Sequence, residues 1–313
     1  MLVSTATLNS LRVGVQNIYS NAYAQVGASN AAWWNLLARR VPSSGSSEVY
    51  RFSETMNRLR RWIGPRQLRN LVEKSYTLPN VKFEQSYHLA VEDIEDDRWQ
   101  NQMDGVRDIA RAGALWPNDL IYDALVAGTS TVCFDGQYYF DTDHPLEVQG
   151  AAATTQSNLH TSTALTYANY VTVRTAIRNR LANDGKILGC MPSHLIVPPA
   201  LEELGKRILT SDTLGYLANA SSTASDSNPM KGTAELVVIP ELTADSATSW
   251  YFGCLNHGIL PLVFQERVAP SRIAMMNAPD DEAVFSEDIV RFGVRARGAG
   301  GYGLWQLLDK CEA

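Results

Sequence analysis

Apolar residues recur at spacings of three and four in three stretches of the chain, and each predicts a helix. Between Thr5 and Val26 the positions Leu8, Leu11, Val15, Ile18, Ala22 and Val26 share one face, and Gly27 can end the helix. From Asp96 to Gly128, Trp99, Met103, Val106, Ala110 and Gly113 form a second stripe, with Arg98, Asp104, Arg107, Asp108 and Arg111 on the other faces. Glu92, Asp93, Glu95, Asp96 and Asp97 lie before it or in its first turn, where a helix dipole favours negative charge. Pro117 is expected to stop this helix, because it lacks an N–H and its ring clashes with the preceding turn. It also suits the first position of a new helix, carrying Leu120, Ile121, Ala124 and Leu125 and capped by Gly128. Tyr167 to Asn183 is the third helix, with Tyr170, Val171 or Val173, Ile177 and Leu181 inward and Arg174, Arg178 and Arg180 largely outward.

Elsewhere the pattern is that of strands and loops. Trp33 and Trp34 anchor a helical or irregular stretch from Asn30 to Arg40, and Val41 to Ser47 has the composition of a linker. Val49, Tyr50 and Phe52 predict an outgoing strand. Tyr76, Leu78, Val81, Phe83, Tyr87, Leu89 and Val91 predict a long returning one, broken at Pro79-Asn80. The whole excursion from Glu48 to Val91 has little apolar surface of its own. Ordering such an arm costs entropy that only a partner can repay, so it is expected to lie on another protein chain. Thr131 to Phe140 reads as a strand, Asp141 to Pro145 as a turn, and Gly150 to Ser162 as a loop. Buried strands at Leu195–Val197, Leu236–Ile239, Trp250–Phe252 and Leu262–Phe264 alternate with helices, including one opened by Pro198-Pro199 and running to Leu209. That order indicates an α/β unit inside a mixed α+β chain. Ser211 to Gly232 reads as a long polar loop, and the end passes Gly298, Gly300, Gly301 and Gly303 into a last strand at Trp305.

Composition narrows the function more than it names it. With 313 residues the chain can bury a sizeable core, in two domains by size alone. Its net charge of -6 argues against a nucleic-acid-binding protein by bulk electrostatics. No apolar run is long enough to cross a membrane, and Met1 to Ser10 lacks the charged-then-apolar pattern of a signal peptide. Cys133, Cys190, Cys254 and Cys311 are far apart, follow no metal-ligand spacing, and read as reduced, buried thiols.

No catalytic, cofactor or metal residue is expected. Asp141, Asp143 and His144 are of ligand type, but the turn explains them, since its carboxylates can accept backbone N–H bonds. Ser193 and His194 are adjacent, and neighbours on a strand point to opposite faces. Gly298 to Gly303 has no lysine after it and does not open a helix, so tight strand packing explains it better than a phosphate loop. The cluster Arg58, Arg60, Arg61, Arg66 and Arg69 around Trp62 could grip phosphates, pair with a neighbour, or simply be solvated. Arginine with tryptophan is the composition of a protein–protein contact. Asp280, Asp281 and Glu282, in the turn between two late strands, are the natural acidic counterpart.

Several blocks together resemble one family. They are Leu59-Arg60-Arg61-Trp62-Ile63-Gly64, Tyr76 to Glu84, Val91 to Asp97, Phe140-Asp141-Thr142-Asp143-His144-Pro145, Asn228 to Leu236, Phe264-Gln265-Glu266-Arg267, and Gly293 to Gln306. In this order they are similar to the major head subunits of Mu-like phages and prophages, over nearly the whole chain and least around Ser211 to Asn228. The resemblance implies the Hong Kong 97-type capsid fold. It implies an N-terminal arm at 1–45, an extended E-loop at 46–90, and a peripheral domain with a long spine helix at 91–128. An axial domain at 129–258, return strands of the peripheral domain at 259–290 and a final strand back to the axial domain at 291–313 would follow. It further implies a major capsid protein that assembles with itself, in rings of five and six, into an icosahedral virion shell built in the host bacterial cytoplasm. Scaffold and portal proteins, a decoration protein and non-specifically packaged DNA would be its partners, with no membrane. An encapsulin-like shell enclosing protein cargo is the alternative, and a hydrolase or metal-binding enzyme using Asp141, Asp143 or His144 is a remote third.

Overall fold

The computed structural model describes residues 5–29, 31–53, 73–95, 103–146, 154–182, 185–213, 227–276 and 281–313. The first elements are α1 (Thr5–Gly27), α2 (Trp34–Leu37), β1 (Ala38–Pro42), β2 (Ser47–Ser53), β3 (Glu73–Pro79), β4 (Val81–Ala90), α3 (Val91–Glu95) and α4 (Met103–Ala127). Next come β5 (His144–Leu146), β6 (Thr154–Gln156), β7 (Leu159–His160), α5 (Tyr167–Arg178), β8 (His194–Val197), α6 (Glu202–Thr210), β9 (Glu235–Val238) and β10 (Trp250–Gly253). The last are β11 (Leu262–Val268), β12 (Ala274–Met276), α7 (Glu282–Glu287), β13 (Ile289–Tyr302) and β14 (Leu308–Cys311). One five-stranded sheet runs β1-β11-β13-β12, with β4 also paired to β13, and a second runs β7-β14-β10-β8-β9. The strands β2 and β3 pair with each other, as do β5 and β6.

Pro117 does not end a helix; α4 runs straight through it. A proline in mid-helix costs about 3 kcal/mol. Against that, Trp116, Leu120, Ile121, Ala124 and Leu125 are all buried in one cluster with Trp33, Leu37, Phe264 and Trp305. Each large apolar side chain contributes about 1.5–3 kcal/mol when fully buried, so packing on both sides of the proline wins. Gly128 follows the helix for want of space. A Cβ there would stand 2.5 Å from the Phe140 ring.

The first half of α4 carries α1. Leu11, Val15 and Tyr19, four residues apart, pack with Val106, Ile109, Ala110 and Phe292. Tyr19 lies off the expected stripe yet is fully buried, and its hydroxyl donates to the Pro270 carbonyl. The second half of α4 lies on β13, where the glycines let the two backbones meet. A Cβ on Gly300 would sit 2.2 Å from the Leu120 carbonyl oxygen, and one on Gly298 would sit 2.9 Å from the Trp116 ring of α4 and 2.4 Å from the Gln265 carbonyl oxygen of β11. The glycine run is thus a close-packing device within one 14-residue strand.

In the second sheet α5 and α6 cover one face. Tyr170, Val173, Ile177, Ile208 and Leu209 bury against Leu195, Val197, Trp250 and Phe252. The cluster around α4 includes Ile196, Tyr251 and Leu308 of this sheet and Phe264 and Tyr302 of the first, so the two sheets share a core.

Several local expectations change. The stretch from Gly150 to Ser162, read as a loop, holds the short strands β6 and β7, paired with β5 and β14. Ala38 to Arg40 is strand, because β1 pairs in parallel with β11 and its backbone groups join that ladder. Thr131 to Phe140 is a chain of turns around Gly136, which takes a φ of 92°, with only the bridge Val132–Tyr138. Trp305 lies in a 3-10 turn, and the last strand is β14.

Candidate assembly interface

The arm expected between Glu48 and Val91 divides in two. The strand β4 belongs to the body, antiparallel to β13 from Val81↔Gly298 to Ala90↔Ile289. The hairpin of β2 and β3 is the part that leaves it, in register from Ser47↔Pro79 to Ser53↔Glu73. Its base is fastened by polar side chains. Asn80 donates through Nδ2 to Ser43 Oγ (2.8 Å) and the Gly45 carbonyl (3.0 Å). The fully buried Gln265 donates through Nε2 to Asn80 Oδ1 (2.8 Å) and the Leu78 carbonyl (3.2 Å), and accepts from the Tyr50 hydroxyl (2.9 Å). Arg267 donates to the Ser43 carbonyl at 2.9 Å. Glu48 accepts from the backbone N–H groups of Ser44 and Gly45 and from the Ser43 hydroxyl, which together hold its carboxyl below the usual range. Leu78 and Tyr76 plug the body beside Gly301 and Tyr302, whereas Val49, opposite Thr77 on the other face of the ribbon, is 57% exposed.

The expected contact residues fall on different parts of the chain. Arg58, Arg60, Arg61, Trp62, Arg66 and Arg69 lie outside the described residues, as does Asp280. Asp281 is half-buried at the residue before α7, and Glu282 is exposed in its first turn. The acidic segment therefore opens a short helix rather than forming a plain turn between strands. Carboxylates fit there because the helix dipole is positive at that end.

A second polar group, which the periodicity did not reveal, closes the far end of the chain onto the body. Arg180 is buried and makes a two-pronged pair with Asp309, NH1–Oδ1 and NH2–Oδ2 both 2.9 Å. It also donates to the carbonyls of Gln306 (2.7 Å) and Ser157 (2.8 Å) and lies 5.4 Å from the Trp305 ring centroid. Burial alone works against the guanidinium charge, and Asp309 outweighs it. The outward placement expected for Arg180 fails because α5 stops at Arg178, so helical phase no longer applies. Asn158 completes the closure, donating to the carbonyls of Tyr139 (2.9 Å), Leu308 (3.1 Å) and Trp305 (3.3 Å).

The residues considered for chemistry behave differently from one another. Asp141 accepts backbone N–H bonds from Thr142 (2.7 Å) and Tyr138 (3.3 Å), as a turn carboxylate should. The neighbouring Asp143 carboxyl is held above its usual range by its hydrogen bond with Asp141. His144 turns away from both into the core, with Nδ1 2.7 Å from Asp135 and its ring stacked 3.9 Å from that of Trp305. Ser193 Oγ and His194 Nδ1 are 2.8 Å apart, contrary to the opposite-face expectation. Ser193 precedes β8, so strand alternation does not govern it. Its hydroxyl accepts the Leu255 N–H (3.0 Å) and lies 3.3 Å from the Gly253 carbonyl, stitching β8 to the turn after β10. Burial pushes the His194 imidazole down.

Comparison with known proteins gives this arrangement its context. The family model described as Mu-like prophage major head subunit gpT matches residues 8–167, 159–242 and 241–312. The chain belongs to this Mu-like major head subunit family. It is 25% identical over 273 residues to the Mu-like prophage FluMu major head subunit of Haemophilus influenzae, covering 87% of this chain and 63% of that protein. It is 23% identical over 308 residues to the major capsid protein of Escherichia phage Mu, covering 98% of this chain and 74% of that one. The chain thus spans a little under two thirds of the length of the Haemophilus relative. Among solved structures it is similar to the subunit of the procapsid of bacteriophage JBD30, with a TM-score of 0.60 and 24% identity over 98% of this chain and 75% of that one. The fold is that of phage capsid proteins, mixed in helix and sheet.

Within this head-subunit fold, the polar base of the arm was partly legible in sequence, since Asn80 marked the break and Gln265 lay in a family block. Arg180, Asn158 and Asp309 carried no signal. They are separated by up to 151 positions and meet only because β14 returns beside β7 and β10. Among the described residues no helix is long and apolar enough to cross a membrane.

Proposed function

We propose that this chain is the shell-forming subunit of a phage or prophage head, assembling with copies of itself around packaged DNA. The observation that carries the reading is the β2–β3 hairpin. It is fixed at its base by Asn80, Gln265 and Arg267, while its two strands pair only with each other among the described residues. A two-stranded ribbon is marginal by itself, so contacts from other copies are what repay its ordering. The N-terminal segment 1–45 serves as the N-arm, and within 46–90 the part up to Pro79 supplies the E-loop while β4 stays on the body. Segments 91–128 and 259–290 make the peripheral domain, 129–258 the axial domain, and 291–313 the strand that joins them. Heterologous contacts that close give rings of five and six. Scaffold and portal proteins act during assembly in the host cytoplasm, and a decoration protein joins the finished shell. The net charge of -6 suits weak, non-specific contact with DNA. The family match favours a head over an encapsulin-like compartment, and head-subunit membership is that of a structural protein rather than an enzyme.

The test is negative-stain microscopy with size-exclusion chromatography on the chain expressed alone and with its neighbouring scaffold gene. Closed shells, or rings of five and six, are expected. A monodisperse monomer under both conditions would overturn the reading. Across subunits, the arginine cluster from Arg58 to Arg69 pairs with Asp280, Asp281 and Glu282. Reversing either patch alone (Arg60→Glu with Arg61→Glu, or Asp281→Arg with Glu282→Arg) is expected to abolish shells, and combining them to restore at least part of the yield. Absence of any rescue, with both single variants folded, would remove that pairing.

A further inference from the structure

The turn after α4 folds three metal-ligating side chains into one buried spot. Cys133 Sγ, an Asp135 carboxylate oxygen and a His144 ring nitrogen all lie within 4.8 Å of one another. Among the described residues no other set of three His, Cys, Asp or Glu side chains converges in this way. The side chains of His144 and Asp135 are 0% and 4% exposed. The loop from Cys133 to Phe140 and the start of β5 bring them together, with the turn at Gly136 setting Cys133 and Asp135 side by side.

Asn158 fixes what His144 can do there. Its amide NH2 is committed to the carbonyls of Tyr139, Trp305 and Leu308, so its Oδ1 must be an acceptor. That oxygen already receives the Asp141 N–H at 2.9 Å and lies 3.0 Å from His144 Nε2. Nε2 therefore carries a proton and donates. A histidine that donates one ring N–H to a fixed acceptor, and aims the other nitrogen at a carboxylate and a thiol, has the arrangement of a metal ligand with its supporting partner. Stacking on Trp305 fixes the plane of the ring.

We propose that Cys133, Asp135 and His144 bind a divalent cation of the zinc class through Sγ, a carboxylate oxygen and Nδ1. Thiolate, carboxylate and imidazole are zinc's usual donors. One thiolate and one carboxylate neutralise the dication, so the occupied site carries no net charge into the core. Binding releases two protons, one from the Cys133 S–H and one from between His144 Nδ1 and Asp135. In the geometry described, those protons hold the cluster together, with Cys133 Sγ donating to Asp135 Oδ1 at 3.0 Å and Nδ1 2.7 Å from Oδ2. Tetrahedral zinc with bonds of about 2.0–2.3 Å needs the donors roughly 3.3–3.8 Å apart, so His144 and Asp135 separate by well under one ångström. Such a clip ties the loop after α4 to the start of β5, whose His144 stacks on Trp305, and it is independent of how subunits assemble.

The test uses full-length protein purified without a metal-affinity tag or chelator. After incubation with Zn2+ and desalting, elemental analysis is expected to find about one zinc per subunit. Co2+ in its place is expected to give the near-ultraviolet thiolate charge-transfer band. Cys133→Ser keeps the size and the hydrogen bond, so it is expected to fold, to lose that band and to bind at least tenfold less zinc. His144→Gln is expected to bind none, and circular dichroism reports whether it folds. Wild-type protein that is folded yet holds no zinc above the Cys133→Ser level, and shows no cobalt band, would overturn the site and leave a proton as the sole bridge between His144 and Asp135.

Discussion

Replacing Gly300 with alanine is expected to destabilise the protein by roughly 3 kcal/mol or more. The new Cβ would stand 2.2 Å from the Leu120 carbonyl oxygen and 2.8 Å from its carbonyl carbon. Both are backbone atoms of α4, so no rotamer change can clear the clash, and the helix must lift off β13. That helix carries Trp116, Leu120, Ile121 and Leu125 into the core shared by both sheets, and lifting it loosens all of them. Overpacking that side chains can absorb costs about 1–3 kcal/mol, and a backbone-on-backbone clash belongs at or above the top of that range. A loss of roughly 3 kcal/mol or more is a large part of a domain's stability of about 5–15 kcal/mol. Gly14 is the matching control. It lies inside α1 with nothing within 4 Å of an added Cβ, so Gly14→Ala is expected to stabilise by up to about 1 kcal/mol. Urea unfolding followed by circular dichroism reads both. A Gly300→Ala midpoint equal to wild type would mean that α4 does not rest on β13 as described.

The same contrast shows what could be read from the chain. The stripe Leu11, Val15 and that of Val106 and Ala110 were visible because a helix buries residues at a fixed period, and α1 and α4 follow that period into one cluster. The glycines from Gly298 to Gly303 announced close packing but not its partner, since nothing local in Leu120 says that it will meet Gly300. Pro117 misled because its cost is local and visible, while the burial that overrides it comes from strands distant in sequence, such as those carrying Ile196, Phe264 and Tyr302. The arm was legible as an apolar-poor excursion. Where it leaves the body was not, since β4 looks the same in sequence whether it pairs with β13 or with β2. The candidate chemistry was least legible. His144 was weighed with its neighbours Asp141 and Asp143, yet at the start of β5 it is buried against Asp135, Cys133 and Asn158.

The largest polar effect is expected at Arg180. Truncating it to alanine strands the Asp309 carboxylate, which is 0% exposed and keeps, among the described residues, the His160 ring nitrogen 2.9 Å away as its side-chain partner. The carbonyls of Ser157 and Gln306 lose their donor at the same time. Breaking a buried pair from one side costs about 3–5 kcal/mol, because the remaining charge stays out of water without compensation. Arg180→Lys should recover little, since an ammonium cannot span both carboxylate oxygens and two carbonyls as the planar guanidinium does. Asp309→Asn is expected to cost less than Arg180→Ala, because the amide oxygen still accepts and the guanidinium keeps both carbonyls. The informative variant removes both charges. Arg180→Met with Asp309→Leu should be less destabilised than the sum of its single changes by about 1–3 kcal/mol, as two residues in one network couple. It should remain below wild type, because the two carbonyls and His160 were satisfied by this pair. Unfolding midpoints of the four proteins give the coupling directly. Strict additivity would mean that Arg180 and Asp309 act separately, and that β14 is held by the amide of Asn158 and the stacked Trp305 instead.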